Sequence, residues 1–218
     1  TYRHMRPQIG ELKRHMKEAG MDAYYAAYGD FHCSEYVSDY FKTTEFLSGF
    51  TGESATLVVS GEGAWLWTDG RFFIQADKQL EGSGVAMMKL GEEEVPTPEK
   101  FIAEMAKEKE QNGSGFVLGL DGRVIPASFR RKLDKAAEEA GADITIKSSE
   151  DLIGKIWKDR PAIDAGEIWE FPFSSAGMSA EDKIAAMKEA MVAEGADYAR
   201  QLCIVCIYGS AFAHRHVV

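Results

Sequence analysis

Asp69-Gly70-Arg71 has the residue types and spacing that can hold a charge for chemistry. Ala64 to Thr68 (AWLWT) reads as a short strand, and Asp69-Gly70 breaks it. Phe72, Ala76 and Leu80 then recur at i, i+4 and i+8, one apolar face of a helix. Asp69 can cap that helix, and Arg71 falls in its first turn, where the helix dipole disfavours a cation. Two readings stay open. Arg71 pairs with Asp69 or points into water; or its guanidinium is held at the carboxyl end of a strand to meet an anion or a carbonyl, at the edge where α/β sheets bind ligands.

Other groups carry less. Cys203-x-x-Cys206 and His214-x-His216 suggest zinc, but in a strand positions three apart face opposite ways, and Ile204-Val205 makes a poor turn. A buried strand with inert thiols is the expectation there. Cys33 has no basic motif beside it to activate a thiolate. Glu92-Glu93-Glu94 reads as a solvated surface run, not a metal site. A nuclease built on Asp22, Asp69 and Asp121 around a metal is disfavoured by the charge balance: the net charge is −10 and Arg130-Arg131-Lys132 is followed at once by acids.

The elements around Arg71 follow from pattern. Ile9, Leu12, Met16 and Ala19 mark an amphipathic helix ended by Gly20. A strand follows over 22–28, then a polar and aromatic loop over 29–42, with a helical turn near 34–40. Phe46 to Ser54 continues as loop. Ala55 to Val59 is a strand, turned by residues 60–63 into the strand over 64–68. A strand over 85–90 comes next. Thr97 caps a helix running from Pro98 to about Lys109, with Phe101, Met105 and Ile102 inward. Phe116 to Leu120 is a buried strand. A helix opening at Pro126 or Ser128 buries Leu133, Ala136, Ala137 and Ala140, and Gly141 ends it. Ile144 to Ile146 begins a strand, and Leu152, Ile153 and Ile156 mark a short helix. Glu181 to Glu194 is a further helix with Ile184, Met187 and Met191 on one face.

The ordinary apolar and charged content allows a core of normal size. No run of about 18 apolar residues suggests a membrane span. The three cysteines do not suggest a disulfide scaffold and fit a reducing compartment. The first residues lack the apolar core of a signal peptide. A cytoplasmic location is the expectation.

Three motifs carry a resemblance to a known family. Trp67-Thr68-Asp69-Gly70-Arg71-Phe72-Phe73 with Gln75-Ala76 and Gln79 resembles the WTDGR(Y/F)F…QA…Q signature of the amino-terminal domain of Xaa-Pro aminopeptidases, in the creatinase/prolidase group. Gly29 to Tyr36 (GDFHCSEY) resembles that family's GDAHxSEY, with Phe31 and Cys33 as departures. Phe46 to Gly52 resembles its FxSGFxG, although Glu53 departs from the continuation. Trp157-Lys158-Asp159-Arg160-Pro161 is similar to the stretch that closes the family's first domain. The helix, Gly-x-Asp and strand pattern from Ile9 to Asp22 recurs from Ile184 to Asp197; helix–Gly–strand joins are common, and Gly141-Ala142-Asp143 is another. The resemblance favours a true duplication, since the long family members carry two such domains.

The resemblance implies an α/β fold, a mixed sheet flanked by helices of ribonuclease-H-like type. Residues 1–161 form the domain, 162–176 a linker and 177–218 the start of a second copy, truncated and divergent after 198. It implies a non-catalytic region that helps shape the entrance of a dimetal aminopeptidase acting on peptides with proline in second position. Arg71 and His32 then bind substrate, and Asp69 orients Arg71 or caps the helix. The family's two Mn(II) ions are held in a carboxyl-terminal domain; no residue here matches those ligands, so no hydrolysis by this chain alone is expected. A homodimer and a peptide partner are implied, without nucleic acid or membrane. The alternative is a stand-alone binding or assembly module of the same fold.

Overall fold

The computed structural model describes residues 6–149, 151–163 and 172–198. The chain divides into two units, Thr1–Asp164 and Ala165–Val218.

In the first unit the apolar runs become strands and the periodic segments helices. The helices are α1 (Pro7–Glu18), α2 (Thr43–Ser48), α3 (Phe73–Gln79), α4 (Pro98–Gln111), α5 (Ala127–Ala140) and α6 (Leu152–Ile156). The strands are β1 (Ala23–Ala27), β2 (Thr56–Ser60), β3 (Ala64–Thr68), β4 (Ala86–Lys89), β5 (Phe116–Leu120) and β6 (Ile144–Lys147). A 3₁₀ turn covers Asp39–Phe41. Among the described residues the strands form one six-stranded sheet in the order β4-β3-β2-β1-β5-β6. β1, β2 and β3 pair antiparallel in sequence, whereas β1 with β5, β3 with β4 and β5 with β6 are parallel. The expected mixed α/β sheet is therefore what the chain forms.

The period of two along each strand divides the core. Tyr24, Leu57, Val59, Ala64 and Leu66 face α1, α2, α3 and α6, where they meet Ile9, Leu12, Leu47, Ala76 and Leu152. Ala23, Tyr25, Val58, Trp67 and Leu118 face the other way and meet Ile102, Phe129 and Leu133 of α4 and α5. The valine, leucine, isoleucine and phenylalanine side chains among these contribute about 1.5–3 kcal/mol each relative to exposure. Gly119 has a steric reason: a Cβ there would lie 2.2 Å from the Met21 sulfur and 2.9 Å from Cδ2 of Tyr24.

Three expectations need correction. Residues 46–48, expected as loop, are the end of a helix over Thr43–Ser48; Gly49, in the left-handed region at φ 80°, ends it, and the Ser48 hydroxyl donates to the Thr44 carbonyl at 2.6 Å. On α4 the fully buried face is Ile102, Ala103 and Ala106, while Phe101 and Met105 are partly buried. The tighter approach to the sheet needs the smaller side chains; Phe101 lies at the border, against Trp65 and Trp67. On α5 Leu133, Ala136 and Ala137 are buried, and Ala140 is only half-buried because the helix ends there.

The second unit holds α7 (Phe173–Ala176) and α8 (Ala180–Glu194). Ser179 caps α8, its hydroxyl oxygen accepting from the Asp182 backbone N–H at 3.0 Å. Gly195 ends α8 at φ 66°, and the Ala196 N–H reaches the Met191 carbonyl. The end of α1 is built alike, with Gly20 at φ 62° and the Met21 N–H on the Met16 carbonyl. α5 ends the same way at Gly141. The face expected at Ile184, Met187 and Met191 is only partly covered: both methionines are half-buried and Ile184 is exposed. Most of the expected linker, and the strand, thiols and histidines expected beyond residue 198, lie outside the described residues.

Candidate functional site

The sheet polarity decides which loops meet. β1, β3 and β5 run in one direction, and β4 and β6 run parallel to their neighbours. Their carboxyl ends share one edge. The loops leaving it begin at Tyr28, Asp69 and Asp121, so the GDFHCSEY and WTDGRFF stretches are brought to the same edge.

Arg71 is bound to Asp69 through both of its edges. The Asp69 Oδ1 accepts from the Arg71 backbone N–H at 3.1 Å and from Nε at 2.9 Å, and Oδ2 accepts from Nη2 at 2.9 Å. These bonds, with one from the Ser54 hydroxyl, hold the Asp69 carboxyl well below the usual carboxylate range. The side chain of Arg71 is nevertheless 75% exposed. Asp69 does not cap α3. The helix starts two residues later than expected, after Phe72, with no side-chain cap. Arg71 therefore precedes the first turn, in a tight turn closed by the Phe72 N–H on the Asp69 carbonyl. Glu53 and Glu35 add to the field that raises the Arg71 pKa after Asp69. Neither acid was legible as a neighbour, because each comes from a different motif.

The motif glutamines hold the loop after Gly49 through Thr51. Gln75 Nε2 and Gln79 Nε2 donate to the Thr51 hydroxyl at 2.9 and 3.0 Å, and the Thr51 backbone N–H donates to Gln79 Oε1 at 3.0 Å. Their spacing of one helical turn puts both on the face of α3 that meets the loop after Gly49. Thr68 donates to the Ser54 carbonyl at 2.6 Å. Together these bonds fix the strand end from which Arg71 emerges.

His32 is exposed on the loop after β1. Asp30 Oδ1 accepts from the His32 and Ser34 backbone N–H groups, both at 2.9 Å. Burial of Asp30 opposes its charge, but those bonds outweigh it and its pKa is lowered. No hydrogen bond or ion pair joins His32 to Arg71 among the described residues.

A second Asp-Gly-Arg occurs at the end of β5, and sequence reading passed over it. Asp121 Oδ1 accepts from the Arg123 backbone N–H at 3.0 Å and Nε at 2.9 Å, and Oδ2 from Nη2 at 2.8 Å. The geometry repeats that of Asp69 and Arg71, and the identical tripeptide was the available signal. Arg123 extends to Asp151 at 3.3 Å and lies over the Phe31 ring. Asp151 also accepts from Arg160 Nη1 at 2.6 Å, and Arg160 covers the Tyr40 ring at 3.7 Å and donates to the Tyr40 carbonyl. Arginines from two later segments thus grip both ends of the His32 loop.

Asp22, Asp69 and Asp121 do not converge. Asp22 precedes β1 at the opposite edge, bound by Lys109 and the Val117 N–H, while the other two follow strand ends. Among the described residues no group of His, Cys, Asp and Glu could hold a metal ion. The edge carboxylates of Asp69, Asp121 and Asp151 are each occupied by arginine, so this donor set does not fit a metal pair. No described helix is long and apolar enough to cross a membrane.

The comparisons with known proteins agree with this arrangement. The profile of the family described as Creatinase/Prolidase N-terminal domain matches residues 8–156. The chain is 36% identical over 183 residues to a protein named probable Xaa-Pro aminopeptidase P from Talaromyces marneffei, covering 84% of this chain and 27% of that protein. It is 35% identical over 178 residues to a like-named protein from Pyrenophora teres f. teres, covering 81% of this chain and 26% of that one. The chain thus spans about a quarter of the length of these relatives. Among solved structures it resembles X-prolyl aminopeptidase from Caenorhabditis elegans, described as a cytosolic enzyme with a di-nuclear active site. That likeness has a TM-score of 0.71 and 26% identity, over 88% of this chain and 31% of that one. On the family match, the motifs and the sheet that presents them, the chain belongs to the Creatinase/Prolidase N-terminal domain family.

Proposed function

We propose that this chain is the non-catalytic, substrate-facing part of a dimetal Xaa-Pro aminopeptidase, which removes the first residue of peptides with proline in second position. The observation that carries the reading is Arg71: a guanidinium locked by Asp69, three-quarters exposed, at the carboxyl edge of the sheet. Its free N–H groups suit a carbonyl oxygen of a bound peptide through a charge-assisted hydrogen bond. Asp69, Glu53 and Glu35 together outweigh its single charge. That balance favours a neutral main-chain carbonyl over a free carboxylate as its partner. His32, on the next loop of the same edge, lines the entrance. The two metal ions, Mn(II) by resemblance, are held by residues outside this domain. A homodimer and a cytoplasmic location complete the reading; the resemblance supports both, and the description of the nematode enzyme as cytosolic supports the second.

The test is Arg71→Ala in the complete enzyme that contains this chain. The expected result is a fall in kcat/KM of roughly ten- to a hundred-fold, with thermal stability and metal content unchanged. Unchanged kcat/KM would remove Arg71 from the substrate site. If no complete enzyme with peptidase activity contains the chain, the stand-alone module becomes the better reading.

A further inference from the structure

The sheet has a topological switch point at β1 and β5. These strands are parallel neighbours, yet the chain leaves them toward opposite faces. After β1 it reaches α2, whose Leu47 joins one core; after β5 it enters α5, whose Phe129 and Leu133 join the other. Diverging connections open a crevice outside the strand ends, and in open α/β sheets such crevices take ligands. Here there is a cleft of 270 Å³, bordered by Tyr25, Gly29, Glu99, Val124, Phe129 and Lys132. Arg71 does not line it.

The lining is chemically specific. Its floor is aromatic: the Tyr25 and Phe129 rings lie 4.1 Å apart, centroid to centroid. Tyr25 is buried, and its phenol is tied to Thr56. The walls carry opposite charges. Glu99 comes from the first turn of α4, and Lys132 lies on α5. Among the described residues neither has an ion-pair partner within 4.0 Å, so both charges are available to a ligand. Ser34 and Ser128 add hydroxyls to the same lining. The volume falls just below the range of about 300–1,000 Å³ for drug-sized pockets, which suits a single small molecule rather than a peptide. One cation and one anion around an apolar floor match a zwitterion, not a polyphosphate or a dicarboxylate.

We propose that this cleft binds a free α-amino acid with an apolar or aromatic side chain. Its carboxylate meets Lys132, its ammonium meets Glu99, and its side chain lies on the Tyr25–Phe129 floor. The inference is independent of the role given to Arg71.

Cys33 borders the cleft and its thiol is exposed, so it serves as a reporter of occupancy. The experiment follows alkylation of Cys33 by iodoacetamide, mapped by mass spectrometry, in the chain with increasing L-phenylalanine. Isothermal titration runs in parallel. N-acetyl-L-phenylalanine and L-phenylalanine amide are the controls, each lacking one charge. The expected result is saturable protection of Cys33 by L-phenylalanine, with apparent affinity reduced roughly tenfold for each control. Glu99→Gln should remove the preference for the free ammonium, and Lys132→Met the preference for the free carboxylate. Both are surface changes that leave the circular dichroism unaltered. No saturable protection or heat at millimolar L-phenylalanine would overturn the proposal, as would equal binding of all three compounds.

Discussion

The guanidinium carbon of Arg123 lies 5.4 Å from the centroid of the Phe31 ring. This contact links the Asp121–Arg123 pair at the end of β5 to the loop that leaves β1 and carries His32. Phe31 and Tyr36 are exposed, and Phe31 meets the buried Phe41 ring edge-on at 4.8 Å. The order of the loop depends both on these internal contacts and on arginines from elsewhere in the chain. Arg123→Ala should loosen residues 30–36 by about 0.5–1 kcal/mol, the range for a cation–π contact at an exposed site. Hydrogen exchange at the amides of His32 and Ser34 should quicken several-fold while β1 amides stay protected. Unaltered exchange in the loop would show that the Arg123 contact does not order it.

Asp151 joins three elements. It caps α6 through the Gly154 N–H at 2.8 Å, binds Arg160 at 2.6 Å and touches Arg123 at 3.3 Å. It is largely buried, as is Arg160. Asp151→Ala removes the cap and leaves a guanidinium without its partner, so a loss of about 3 kcal/mol in urea unfolding is expected. Asp151→Asn keeps the cap and should cost less.

The depressed pKa values set a pH dependence. Burial of Asp121 works against its charge, but the Arg123 hydrogen bonds outweigh burial and the folded pKa is lowered. Asp69 is lowered chiefly by Arg71. A carboxyl with a folded pKa below its unfolded value adds stability that is complete above the unfolded value, about 3.9. That stability is lost as pH falls through the folded pKa. The urea midpoint should thus receive the full contribution of these pairs from pH 7 to about pH 5 and lose it in more acidic solution. Asp121→Asn should flatten the acid limb of the wild-type curve.

Cys33 is the one described residue other than glycine with positive φ, at 56°. Its side chain pays for a backbone conformation that glycine adopts freely. Cys33→Gly gains native-state relief and loses some through a more flexible unfolded chain. A net stabilisation of about 0.5 kcal/mol is expected, read as a small rise in Tm.

Thr51 accepts from two glutamine side chains and donates its backbone N–H to one of them. Thr51→Val keeps the shape and removes the hydroxyl. A loss of about 1 kcal/mol is expected, because these bonds lie at the surface and the glutamines recover bonds to water. If the glutamines serve only the fold, Thr51→Val in the complete enzyme leaves KM unchanged.

Legibility in the sequence followed the strength of local signals. β3 and β5 occupy the residues expected of them, because each apolar run is bounded by glycine or by charged residues. α4, α5 and α8 could be read from period and from Pro or Gly at their ends. α2 could not: six residues give less than two turns, too short for a period of 3.6 to show. The Asp69–Arg71 pair was visible because its partners are two residues apart. Glu35 and Glu53 were invisible because only the folded sheet edge brings them near Arg71. α8 shows the limit of pattern: its apolar residues predict a helix correctly and do not say what covers Ile184.

Among the described residues the sheet is open at β4 and β6, and each of these border strands is four residues long and ends on a lysine, Lys89 and Lys147. Lys147 turns its ammonium onto the Ala19 carbonyl, and Lys89 lies over the Phe73 ring. Short borders closed by a cation resist the addition of another chain's backbone. The described sheet therefore discourages fibrillar self-association through its borders.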